Sequence, residues 1–247
     1  MRIDVWSDIA CPWCYIGKRR LEAALGDFEH AEDVEVVWHS FELDPNAPTP
    51  PTETGVSALS RKYGTADTVA AMMANVTSVA AGEGLELRLQ DTMHLNTRDG
   101  HRLLHLALET GGPAQQGELK EALLDAYFVQ ALDVADHDVL RRVAVGVGLG
   151  ESAVDGVLTS QDYDADVDAD VAAAQAYGAG GVPFFVIDER YGISGAQPTS
   201  MFAGALRQAW DESHPRLQTL GAAAGGSMAA ESVADETGVC GPDGCAL

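Results

Sequence analysis

Positive charge is what this sequence has least of. Its 247 residues include only three lysines, Lys18, Lys62 and Lys120, against 38 acidic side chains, and the formal net charge is −23. Such a surface repels phosphate backbones and anionic lipid head groups, which argues against nucleic-acid and membrane partners. Long apolar runs are missing too. None approaches the roughly 18 residues of a membrane span, and Met1-Arg2 lead straight into the mixed stretch "IDVWSD" instead of a secretory apolar region. The expected location is therefore the cytosol. Cysteine is sparse, with four in the chain, and in a reducing compartment that number excludes a disulfide scaffold and points to catalytic or metal-binding thiols. The 46% apolar content is ample for a packed core.

The pattern along the chain is that of an α/β protein. "RIDVW" alternates as a short strand with Ile3 and Val5 on one face. In "CPWCYIGKRRLEAAL" a helix must start at the cysteines, because Pro12 is tolerated only in a first turn. "VEVVWHSFEL", from Val34 to Leu43, has the content of a second strand, and strand–helix–strand in this order implies a right-handed βαβ unit. Four prolines in "DPNAPTPPTETG" then break the chain. From about Gly55 to Tyr177 the periodicity is helical, in a block that looks like an insertion. "VPFFVIDERYGISG" reads as two strands joined by a tight turn around Asp188-Glu189-Arg190, ahead of a last helix in "PTSMFAGALRQAWDE". The composition of residues 213–247 predicts a flexible tail. The implied organisation is a first domain in residues 1–54 and 178–212, a helical insertion in 55–177, and the tail.

The dithiol Cys11 and Cys14 carries the clearest chemistry. At a strand-to-helix junction, unpaired backbone N–H groups and the helix dipole favour a thiolate at Cys11. Cys11 is then the attacking sulfur, and Cys14, one turn deeper, resolves the mixed disulfide. A zinc site would need two further ligands, and no second CxxC exists, so no metal is expected. In "GVPFFV", Pro183 opens a strand, where a cis Val182-Pro183 bond would form a fixed turn beside the dithiol. The Val182 backbone would then be free to pair with an extended substrate. An ordinary edge-strand proline is the alternative.

The stretches "DIACPWCYIGKRRLEAAL", "LNTRDGHRLLHLAL", "AYFVQALDVADHDVL" and "GVPFFVIDERYGISGAQP" together resemble the DsbA family, specifically its FrnE-like cytosolic branch, across about residues 1–212. The resemblance implies a thioredoxin-like fold with a large inserted helical domain and thiol-disulfide oxidoreductase activity without a cofactor. It also implies Cys11 as nucleophile, Cys14 as resolving thiol and Pro183 as the cis-proline. Pro12, Trp13, Val182 and Pro183 are the candidate substrate-binding residues. The expected partners are protein or low-molecular-weight thiols and disulfides. Strongly oxidising members of the family place histidine between the cysteines. Here Pro12-Trp13 stands there, so their very low thiol pKa does not transfer. Related chromene-carboxylate isomerases, the rival within this fold, usually keep serine at the position of Cys11. The rival outside enzymes is a metal-binding or scaffold protein that uses the terminal "VCGPDGCAL". There a Pro-Asp-Gly turn would bring Cys240 and Cys245 together as a redox relay, a lock or a metal site.

Three further patterns are structural in this reading. His101 and His105 share a helix face at metal-ligand spacing with no acidic partner in the motif. "GVGLGE" follows a helix and marks its end. "DYDADVDAD" is read as the solvated face of a helix.

Overall fold

Strand β1 (Arg2–Ser7) is the spine of the fold, because its alternating side chains supply two cores at once. Ile3 and Val5 pack with Leu21, Phe185, Phe202 and Leu206 on one face, and Trp6 packs with Ala174, Phe184 and Val186 on the other. The structure is a computed structural model that describes residues 1–215. Cys240 and Cys245, and nearly all of the expected tail, lie outside them.

A four-stranded sheet has the order β2-β1-β3-β4. β2 (Glu35–Ser40) runs parallel to β1, whereas β3 (Phe184–Ile187) and β4 (Tyr191–Ser194) are antiparallel. The hairpin turn between them holds Asp188 and Glu189 at positive φ, 48° and 56°. Helix α1 (Pro12–Gly26) connects the two parallel strands and packs with α8 (Thr199–Ser213) on the Ile3/Val5 face. Between β2 and β3 come α2 (Gly55–Tyr63), α3 (Ala66–Gly82), α4 (Arg98–Phe128), α5 (His137–Gly146), α6 (Glu151–Thr159) and α7 (Asp164–Ala176). This is a thioredoxin-like α/β fold with a helical insert. Residues 1–214 form one compact unit, in which Ile9, Tyr15 and Ile16 share a core with the inserted helices.

Two local expectations change, and the long helix shows one internal break. The second strand ends at Ser40, not Leu43, because the Leu43 N–H leaves the ladder and donates to Asp8 Oδ2 at 2.8 Å. α4 comprises two helical halves that meet at Gly112, whose φ of 71° and ψ of −169° are not helical, with Pro113 opening the second half where its missing N–H costs nothing. The acidic run "DYDADVDAD" is not all solvated. Asp170 is buried and accepts from the Ser40 N–H at 2.7 Å, while Asp164 and Asp168 pair with Arg98.

Edge strand β2 is covered by α4. Gln116 accepts from Trp38 N at 2.9 Å and donates to Trp38 O at 2.8 Å, so one amide completes a ladder position that would otherwise be open. That contact fixes α4 beneath the end of β1, where the cysteines begin.

Candidate active site

Cys11 is the N-cap of α1, and the Cys14 N–H donates to its carbonyl at 3.0 Å, so the first helical turn itself sets the spacing of the sulfurs. Both thiols are free, and both residues are buried, Cys11 at 4% and Cys14 at 1% exposure. The Cys11 Sγ donates to Val182 O at 3.6 Å, and the Val182-Pro183 peptide bond is cis. A glycine permits this approach. A Cβ on Gly17 would stand 3.0 Å from Pro183 Cγ and 3.2 Å from Phe185 Cζ. Cys11, Cys14, Val182 and Pro183 thus meet at one point. Pro12 is half-buried, and Trp13, also half-buried, packs its ring against the helical core.

Beneath the dithiol lie polar residues that motif reading misses. Asp8 is buried and accepts from Ala10 N (3.2 Å), Leu43 N (2.8 Å), Thr97 Oγ1 (2.8 Å) and the His101 ring (3.4 Å). Burial opposes its charge, yet the His101 ring and these donors hold its carboxyl below the usual range. Desolvation lowers His101, which is therefore neutral and donates from Nε2. Lys120, from the second half of α4, is fully buried and donates to Ser7 O at 3.3 Å. Burial brings its pKa down to about 8. Sequence offered one hint of each. Asp8 lies one residue beyond β1 in the cysteine loop, and Lys120 is one of three lysines, set amid the leucines of "ELKEALL".

The two sulfurs ionise as a pair. Burial opposes a thiolate on Cys14. The Cys11 thiol as hydrogen-bond donor and the Lys120 charge act against it, and the balance lowers Cys14 from an ordinary thiol. The hydrogen bond to Cys14, with desolvation, pushes Cys11 up. Lys120 acts on both sulfurs, and it is a cation supplied by the insertion and invisible to local spacing. His101 and His105 do not converge on a common point, since His101 goes to Asp8 and His105 to Asp170 at 3.1 Å.

The profile of the DSBA-like thioredoxin domain matches residues 2–207. The chain belongs to this family. A DsbA-family relative of solved structure, described as a probable DsbA oxidoreductase from Streptomyces coelicolor, is 43% identical. It superimposes with a TM-score of 0.81 over 100% of this chain and 99% of its own. The Bacillus subtilis protein YwbO is 27% identical over 208 residues, covering 83% of this chain and 96% of YwbO. A 2-hydroxychromene-2-carboxylate isomerase, at 15% identity and a TM-score of 0.64 over 86% of this chain and 98% of its own, shares the fold.

Proposed function

We propose that this DsbA-family protein is a thiol-disulfide oxidoreductase that works through Cys11 and Cys14 on protein or low-molecular-weight thiols and disulfides. The observation that carries the reading is the placement of Cys11 Sγ at the N-cap of α1, 3.6 Å from Val182 O beside the cis-proline turn, with a second free thiol one helical turn away. Cys11, as its thiolate, attacks a substrate sulfur, the substrate S–S bond breaks, and the leaving thiolate takes up the proton of Cys14. The Cys14 thiolate then attacks Cys11 Sγ, closes the intramolecular disulfide and releases the second substrate sulfur as a thiolate, which takes a proton from water. The reverse sequence delivers a disulfide to a substrate dithiol. Pro12, Trp13, Val182 and Pro183 line the approach, and an extended substrate would pair along Val182 in the manner of strand addition.

The intact nucleophilic cysteine favours this chemistry over the isomerase reading, whose structural relative carries the fold alone. The scarcity of cysteine and the net charge of −23 support a cytosolic protein without nucleic-acid or membrane partners. Cys11→Ser should abolish reduction of a protein disulfide, whereas Cys14→Ser should accumulate a mixed disulfide with the substrate, cleaved by dithiothreitol and visible by mass spectrometry. Full turnover by Cys11→Ser would sink the assignment.

A further inference from the structure

The turn at Val182-Pro183 is held from behind by the segment that follows β4. Gly195, at a φ of 78° that favours glycine, donates its N–H to Pro183 O at 2.8 Å, one residue beyond the last ladder pair of Phe184 with Ser194. Ala196 comes next, and its carbonyl accepts from Arg20 Nη1 at 2.6 Å. The same guanidinium donates from Nε to Glu83 Oε1, also at 2.6 Å. Arg20 lies on the α1 face that carries Gly17, where an added Cβ would meet Pro183 and Ala196 at 3.0 and 3.5 Å. Glu83 belongs to the insertion, as the C-cap of α3. One side chain thus joins the dithiol helix, the segment behind the substrate turn and an inserted helix. A guanidinium suits that task, because its donors form a rigid fork that fixes two acceptors at once.

We propose that Arg20 is a positioning residue for substrate binding: by holding the Ala196 carbonyl it fixes Gly195 and, through it, Pro183, so that the Val182 backbone is set to pair with an extended peptide, while Glu83 keeps the guanidinium in place. This rests on the oxidoreductase reading above and deepens it. Gly195 has no side chain to anchor it, and Gln197 bonds back to Gly195 O and Ser194 O within the same segment, both at 2.9 Å. Among the described residues, Arg20 supplies the hydrogen bond that ties residues 195–197 to a helix. The sulfurs are fixed separately, by the first turn of α1 and its bond from Cys14 N–H to Cys11 O. Loss of Arg20 therefore loosens the turn and leaves the thiol chemistry in place. A peptide paired along Val182 is bound alike before and during sulfur transfer, and the loss of such uniform binding raises KM without lowering kcat.

Arg20→Met removes both bonds and keeps an apolar stem against the helix. In steady-state reduction of a disulfide-bridged peptide, with saturating dithiothreitol to recycle the protein, its KM should rise about tenfold and its kcat change by less than about twofold, the scale of one or two lost peptide hydrogen bonds. Reduction of 2-hydroxyethyl disulfide, which has no peptide group to pair with Val182, should keep the wild-type rate. A role in stability alone would affect both substrates alike. Arg20→Lys should not restore the peptide KM, since one ammonium does not reproduce the fork. Glu83→Ala leaves Arg20 and Ala196 in the chain but frees the guanidinium, and it should raise the peptide KM in the same sense. If the wild-type protein reduces both disulfides, an unchanged peptide KM in Arg20→Met, or an equal loss with both substrates, overturns the role of Arg20 alone. Should Arg20→Met fail to fold, an unchanged peptide KM in Glu83→Ala overturns it instead. Wild-type protein that reduces neither disulfide overturns the oxidoreductase reading and this proposal with it.

Discussion

Asp8 shows how a single buried side chain is fixed by what it must satisfy. It is a carboxylate with four donors, two of them the backbone N–H groups of Ala10 and Leu43 on either side of the site. An ionised carboxylate accepts on both oxygens, whereas an amide accepts on one and turns its own N–H groups toward the donors that remain. Asp8→Asn should therefore cost about 3 kcal/mol of stability, in the range for stranding hydrogen-bond partners of a buried charge. Denaturant melts of the reduced protein would measure it, and a loss under about 0.5 kcal/mol, the ordinary surface value, would show that the network is dispensable. The pH sense follows from the lowered Asp8 pKa. The stabilisation is present above the ordinary carboxylate range and is lost as pH falls through the depressed value. The spacing of Cys11 and Cys14 and the turn at Pro183 could be read from the chain because each is set by neighbours within a few residues. Asp8 and Lys120 could not, because apart from the Ala10 N–H their partners are 35 to 113 positions away and only the topology brings them together.

At the scale of elements, the approach of α1 to the Pro183 turn is decided at Gly17. In an exposed helix, Gly→Ala gains about 1 kcal/mol. At Gly17 the added methyl meets the closed ring of Pro183 and the buried ring of Phe185, neither of which has a flexible end to move aside, and overpacking of this kind costs about 1–3 kcal/mol. The steric cost wins. Gly17→Ala should destabilise the protein by about 1 kcal/mol, the balance of the two effects, and slow disulfide exchange as Cys11 Sγ moves off Val182 O. Gly26→Ala, in the same helix with nothing within 4 Å of the added methyl, serves as the control and should be neutral to stabilising. Equal stabilities for the two variants would remove the packing argument. The elements themselves were largely legible: the first strand, the helix opening at the cysteines, the helical block and the final hairpin follow from period and turn chemistry. The miss at Phe41–Leu43 came from a buried side chain, Asp8, that outcompeted the ladder for a backbone N–H. Gly-Gly-Pro ends the first half of α4 as such a sequence ordinarily does: Gly112 takes a positive φ outside the helical region, and Pro113 starts the second half.

Across the whole molecule, sheet and insertion are joined by a charged clamp that the sequence distributes over four elements. His39 on β2 reaches Asp4 on β1 through Nε2 at 2.7 Å and Asp170 on α7 through Nδ1 at 2.6 Å, and His105 on α4 bonds the second oxygen of Asp170 at 3.1 Å. An imidazole held by a carboxylate at each nitrogen must donate from both, so His39 is an imidazolium. Burial opposes that charge, but the hydrogen bonds to Asp170 and Asp4 overcome it and raise the pKa to about 9. The folded protein then binds a proton that the unfolded chain releases near pH 6.5. The contribution is complete below about 6.5 and disappears as pH rises through about 9, on the order of 3 kcal/mol for a shift of this size. Lys120 works in the opposite sense. Its folded pKa of about 8 lies below its unfolded value, so its penalty is relieved between about 8 and 10.5 and offsets part of the His39 loss in wild type. The two separate in the Lys120→Met background. Its unfolding free energy should fall steadily from pH 6.5 to pH 9, and adding His39→Gln should flatten the curve over that window while lowering stability at pH 6. If Lys120→Met alone is already flat between pH 6.5 and pH 9, His39 carries no linked proton, and the sheet is held to the inserted helices by apolar packing and neutral hydrogen bonds.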